Sequence, residues 1–145
     1  MDNTTALILV DIQNDYFPGG KMTLEGIDAA SVNASRLLNR FREKRMPVFH
    51  IRHLAARPGA TFFLPDTPGC EIHPSVVPIG DEPVIVKHFP NSFRETSLLD
   101  QLKKAGVASV VVCGAMSHMC IDATVRAASD LGFINCRIII LTFLC

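Results

Sequence analysis

Five short strand-like runs, all apolar-rich but for the His- and Arg-containing second, constrain this chain more than anything else in it: ALILV (Ala6–Val10), VFHIRH (Val48–His53), PVIVK (Pro83–Lys87), ASVVVC (Ala108–Cys113) and RIIILTFL (Arg137–Leu144). The unbroken run Ala6–Val10 lacks the alternation of a half-exposed strand and reads as a parallel strand buried on both faces. Helical periodicity fills the gaps. From Gly26 to about Arg45, Ile27, Ala30, Val32, Ala34, Leu37, Leu38 and Phe41 make an apolar face, and Met46-Pro47 ends the helix. Ser92 or Asn91 caps a second helix from about Arg94 to Ala105, with Leu98, Leu99 and Leu102 as its stripe and Gly106 as its stop. A third follows Cys120, carrying Ile121, Val125, Ala128 and Leu131, and stops at Gly132. This order predicts an α/β fold: one domain over residues 1–145, a doubly wound, mostly parallel sheet with helices on both faces. Leu54–Pro83 holds six of the nine prolines and little periodicity, so it is read as a long functional loop, a lid over a site.

Lys+Arg and Asp+Glu balance at 14 each, and no basic stretch offers a phosphate footprint, which disfavours nucleic acid as a partner. No apolar run is long enough to span a bilayer, and the first residues lack the basic region and cleavage site of a secretory leader. The expected compartment is the cytoplasm. Five cysteines at irregular spacing, with no CxxC, argue against a disulfide framework or structural zinc. Cys113, Cys136 and Cys145 read as small buried hydrophobes, and Cys70, in a Pro/Gly-rich loop, as incidental.

Open parallel sheets bind ligands at the carboxyl ends of their strands, and Asp11, Lys87 and the loop before Cys120 all lie there. Each has a bland alternative. Cys120 can be a core residue of an Ala-rich helix, Asp11 a turn cap and Lys87 a strand-end stem reaching water. The functional reading makes Cys120 a nucleophile in the first turn of a helix, where unpaired N–H groups lower a thiol pKa. Asp11 is then its general base, and Lys87 holds the ion pair. The small, polar GAMSH turn leaves N–H groups for an oxyanion. His50 and His53 are three apart on a strand and point to opposite faces, so they do not share a metal. His118 reads as a pocket-wall residue. No GxGxxG exists, and GGK lacks the rest of a P-loop.

LVDIQNDYFPGG, VIVKHFPNSFRETSLLDQL and VVVCGAMSHMCIDATVRAASDLGF together resemble the isochorismatase-like cysteine hydrolases, which include nicotinamidases and N-carbamoylsarcosine amidase. The likeness runs from Thr5 to Phe133. It implies that family's Rossmann-like fold and a catalytic triad of Asp11, Lys87 and Cys120. It also implies a non-proline cis peptide at Ala115–Met116 and an oxyanion held by the N–H groups of Met116 and Cys120. The implied reaction is hydrolysis of a small-molecule amide or related C–N bond through a thioester, with no cofactor. HIRHLAARPGA supplies only His53 of the ligand set of zinc-binding nicotinamidases, so no metal is expected. Gln13, Phe17, His53, Ser92, Phe93, Ala115 and His118 are the candidates for substrate contacts. Family members continue past the fifth strand into a further helix and strand, whereas the likeness here stops after Phe133. The expectation is therefore a missing last portion, with a partner subunit covering the apolar end in a homodimer or larger homo-oligomer. Two alternatives follow: an idle family member acting as a binding or oligomerising module, and an ether hydrolase that does not need Cys120.

Overall fold

The structure, a computed structural model, describes residues 4–140; Cys145 and the expected continuation of the last strand through Leu144 lie outside the described residues. The strands are β1 (Thr5–Val10), β2 (Val48–His53), β3 (Val84–Lys87), β4 (Ser109–Gly114) and β5 (Ile134–Ile140). The helices are α1 (Ile27–Glu43), α2 (Leu98–Lys104) and α3 (Asp122–Asp130). The sheet order is β3-β2-β1-β4-β5, with every pair parallel. The chain steps outward from β1 through β2 to β3, then returns to the other side of β1 for β4 and β5. Right-handed crossovers running in opposite directions must place their helices on opposite faces. They do so here. Leu7, Leu9, Val111 and Cys113 pack with Ala34, Leu38 and Phe41 of α1. Ala6, Ile8, Val10, Val110 and Val112 pack with Leu98 and Leu102 of α2 and Ala128 of α3. Both faces of β1 and β4 are thus buried, and each fully buried Leu or Ile side chain is worth about 1.5–3 kcal/mol. The winding reverses between β1 and β4, and the gap at their carboxyl ends is where such a sheet holds its ligand.

Local chemistry overrides the periodic reading at several places. The second helix starts at Leu98, not Arg94, because Glu95 adopts a left-handed φ of 54° that no α-helix continues through. Asn91 Oδ1 instead accepts from the Phe93 N–H at 2.9 Å, closing a turn rather than capping a helix. Val32 of α1 is exposed, since the stripe runs through Ile27, Ala30, Ala34, Leu38 and Phe41. Leu131, expected on the buried face of the third helix, is exposed as well, and Thr124 is buried in that helix. The last strand begins at Ile134 rather than Arg137, drawn in by pairing with β4 from Ser109 onward. Cys70 is not incidental but fully buried, its thiol donating to the Thr67 carbonyl at 3.1 Å. Cys113 is in the core as expected, and Cys136 is only partly buried.

Glu82, just before β3, ties that edge to α1. Its carboxylate accepts from Arg42 Nε at 2.7 Å, Arg42 Nη2 at 2.8 Å, His50 Nε2 at 2.8 Å and the Ile79 N–H at 3.1 Å. Burial pushes the Glu82 carboxyl up, but these hydrogen bonds and the Arg42 charge outweigh it and bring the pKa down from 4.5 to about 2. A folded-state value below the unfolded one stabilises the protein fully above about pH 4.5, and that stabilisation is lost as pH falls toward 2. Urea unfolding across that range should show the loss. Glu82→Gln should cost about 2 kcal/mol at pH 7 and flatten the acid limb. An unchanged limb would remove Glu82 from the acid response.

Candidate active site

Three strand ends and one turn build the site. Asp11 follows β1 in the left-handed region (φ 54°), which aspartate tolerates better than most residues, and its N–H donates to the Ile51 carbonyl at 3.1 Å. Lys87 ends β3, and His53, the last residue of β2, is its register partner. After β4 the chain must turn hard against β1. Gly114, at φ 140°, makes this possible, because a Cβ there would collide with the Val10 carbonyl. Ala115 N–H then donates to that carbonyl at 3.1 Å, and the Ala115–Met116 peptide is cis, at the place the resemblance implies. Ser117–Ile121 forms a single π turn running into α3, so Cys120 sits two residues before the α-helix rather than in its first turn.

At the centre lies the Lys87 ammonium. Both Lys87 and Asp11 are fully buried, with Nζ 2.8 Å from Asp11 Oδ2. Nζ is also 2.9 Å from His53 Nδ1, 3.1 Å from the Phe89 carbonyl and 3.3 Å from Cys120 Sγ. An ammonium has three protons, and these three acceptors take them. Asp11 is held by the Lys87 charge, and the Cys120 thiol lies within hydrogen-bond reach of its carboxylate. A buried carboxylate beside a thiol is placed to accept its proton.

The electrostatics correct one expectation. Burial, then the negative charge of Asp11, push the Cys120 thiol well above its ordinary value, and Lys87 only partly offsets them. The resting cysteine is therefore protonated, and the helix start does not make a standing thiolate of it. Burial and the Lys87 charge bring His53 down from 6.5 to about 4, so its ring is neutral at pH 7. Since Nδ1 accepts from Lys87, the ring proton is on Nε2. Donor atoms of Asp11, His53 and Cys120 lie within 4.8 Å of one another, a set that resembles a metal site. The Lys87 ammonium already reaches all three, and a metal ion among them would meet its charge. These donors fit the ammonium.

A cavity of about 460 Å³ opens onto Cys120, walled by Tyr16, Phe62, Phe63, Phe89, Met116 and Met119, with Arg57 and His88 as further polar groups. Of the seven expected contact residues His53 lines it, and Met116, expected as an oxyanion donor, lines it too. Gln13 is buried behind His53. Its Oε1 accepts from the His53 N–H at 2.8 Å, and its Nε2 donates to the carbonyls of His53 (2.9 Å) and Cys70 (2.8 Å). Ala115 is buried beneath the turn. The other four lie off the lining. Phe17 stacks on His73 in a separate cavity, Ser92 pairs with Thr124 in the interior at 2.8 Å, Phe93 packs toward Phe133, and His118 is exposed. The aromatic wall was missed. Its one sequence signal was the Phe62-Phe63 pair inside an otherwise Pro/Gly-rich stretch. That stretch is anchored by Asp15, whose buried carboxylate accepts from the Phe63 N–H at 2.7 Å and the Lys21 N–H at 3.1 Å. Gly69 lies so close that a Cβ would strike the same carboxylate.

This geometry has relatives. Residues 5–140 match the isochorismatase domain model. The chain is 54% identical to the uncharacterized isochorismatase family protein YddQ of Bacillus subtilis, covering 94% of this chain and 75% of that protein. It is 38% identical to a streptothricin hydrolase of Streptomyces noursei, over 88% of this chain and 45% of that one. Among solved structures, an isochorismatase from Pseudomonas putida superposes with a TM-score of 0.84 at 36% identity, covering 95% of this chain and 68% of the other. No helix among the described residues is long and apolar enough to cross a membrane. With the strand order, the cis turn and the Asp11–Lys87–Cys120 arrangement all in place, the chain belongs to the isochorismatase-like family of cysteine hydrolases.

Proposed function

We propose that the chain hydrolyses a small-molecule amide, or a related C–N bond, through a covalent thioester on Cys120. The observation that carries this is the Lys87 ammonium poised 2.8 Å from Asp11 and 3.3 Å from Cys120 Sγ, at the floor of one cavity. Asp11 takes the thiol proton as Sγ attacks the carbonyl carbon, so the charge on the sulfur never stands without Lys87 beside it. The new C–S bond puts a negative charge on the carbonyl oxygen, and the N–H groups of Met116 and Cys120 hold it. The Met116 N–H makes no backbone hydrogen bond among the described residues, which leaves it available. As the C–N bond breaks, the proton on Asp11 passes to the leaving amine. Water, deprotonated by Asp11, then cleaves the thioester and restores the thiol.

The aromatic wall suits a small substrate with a flat or apolar acyl portion. Intact-mass measurement across a panel of small amides, with ammonia release followed in parallel, tests the reading. An acyl adduct on the wild type that is absent from Cys120→Ala is the expected result; turnover retained by Cys120→Ala would favour the ether hydrolase. Turnover of any kind would overturn the idle binding module. The four described cysteines are free thiols, which suits a reducing, cytoplasmic compartment. Leu131 and Ile134 are exposed beside β5, 44% and 61% respectively, and we assign a second copy of the chain to cover them. Light scattering should report a dimer or larger assembly, and a monodisperse monomer would overturn this.

A further inference from the structure

His53 is the one member of the central cluster to which the mechanism gives no task. Its placement follows from the sheet order. β2 lies between β3, which carries Lys87, and β1, which carries Asp11, so the last residue of β2 falls between the two charges. His53 and Lys87 are register partners and share a face. Gln13 grips the His53 backbone on both sides, through its N–H and its carbonyl, and fixes where the ring projects. One ring nitrogen, Nδ1, is 2.9 Å from Lys87 Nζ, while the other has no protein partner among the described residues and the ring lines the cavity.

We propose that His53 is a positioning residue with two faces: Nδ1 holds the Lys87 ammonium toward Cys120, and Nε2–H offers a hydrogen bond to an acceptor atom on the acyl side of the substrate. This rests on the amide-hydrolysis reading above and deepens it, naming the substrate class as amides whose acyl group carries an acceptor near the scissile carbonyl. The Lys87 end has a clear physical basis. A fully buried ammonium needs all three protons accepted, and without Nδ1 the proton now given to His53 turns toward Asp11 Oδ2, 2.8 Å away, drawing the ammonium off Cys120. The cavity end follows from the tautomer. A ring whose Nδ1 accepts must carry its proton on Nε2, and that proton has only the cavity to face. Lys87, Asp11, Cys120, His88 and Arg57 are the charged and titratable groups around the ring; the Lys87 charge and burial together keep it neutral.

Two variants separate the faces. In His53→Asn the amide oxygen takes the place of Nδ1 and still accepts from Lys87, but nothing reaches the place of Nε2. In His53→Leu both faces are lost. Iodoacetamide alkylation of Cys120 against pH, read at that site by peptide mass, reports the first face without any turnover. The expected result is a roughly tenfold slower alkylation at the same pH along the rising limb in His53→Leu, with His53→Asn at the wild-type rate. Identical profiles in all three proteins would overturn the Lys87 half. The second face is read by protection of Cys120 from iodoacetamide by nicotinamide and by benzamide, an isosteric pair that differs in one ring acceptor. Nicotinamide should protect the wild type at lower concentration than benzamide, and both variants should erase the difference. Equal protection of the wild type by the two, or none, would overturn the cavity half. Neither measurement needs catalysis, so a failed search for an acyl adduct sinks the amidase reading and leaves the His53 result to stand or fall separately.

Discussion

Cys120→Ala loses at least about 10⁴-fold in kcat/KM on any amide the wild type turns over, while the fold is retained. The cost is large because, among the described residues, Cys120 is the one thiol lining the cavity, and in the proposed mechanism Asp11 is committed to the proton and Lys87 to the charge. Asp11→Asn should lose about 10³-fold or more, for a related reason. Burial and Asp11 together keep the Cys120 thiol protonated, so attack requires a base at the moment the C–S bond forms. Labelling gives the opposite sign. The Asp11 charge is one of the causes that raise the Cys120 pKa, so Asp11→Asn should move Cys120 alkylation to lower pH and speed it near neutrality. The wild type, by contrast, should react with iodoacetamide at pH 7 no faster than a free thiol. A variant that labels faster yet catalyses more slowly separates a reactive sulfur from a productive one. If Asp11→Asn leaves kcat/KM within a few-fold of wild type, Asp11 is not the base. If Cys120→Ala still turns over, the nucleophile is misassigned.

Lys87→Met should be the most destabilising substitution at the site, by about 3–5 kcal/mol. Lys87 and Asp11 are both fully buried and 2.8 Å apart. Removing the ammonium leaves a carboxylate in the interior with, among the described residues, no counter-charge and only the weak Cys120 thiol donor beside it. The same substitution removes the three protons donated to His53, to the Phe89 carbonyl and to Cys120. The double variant Asp11→Asn/Lys87→Met should recover most of the loss, because it removes the stranded charge with its partner. Urea denaturation of the wild type, both single variants and the double variant at pH 7 reads the coupling directly, and it should exceed about 2 kcal/mol. Additive effects, or a Lys87→Met cost below about 1 kcal/mol, would mean that water reaches the pair and that it is no buried ion pair at all.

Much of this was legible before any coordinates. The alternation of Leu7 and Leu9 with Ala6, Ile8 and Val10 puts both faces of β1 in the core, and the sequence shows it as an unbroken apolar run. The ends of those runs named Asp11 and Lys87, and the strand–turn–helix pattern named Cys120. The second helix was misplaced because periodicity is blind to a single left-handed residue such as Glu95. The aromatic wall was invisible for a different reason: Phe62 and Phe63 reach the cavity only because Asp15, 48 positions before Phe63, accepts its N–H.

By itself, then, the sequence determined the layers, the strand ends and the three chemical groups, because burial periodicity and chain breaks are local properties. The tertiary structure alone decided who stands next to whom. It placed β2 between β1 and β3, and so put His53 against Lys87 as well as in the cavity wall. It also decided the sign of the Cys120 shift. A helix start favours the thiolate from along the chain, but burial and the approach of Asp11 from another strand act through space, and at these distances they win.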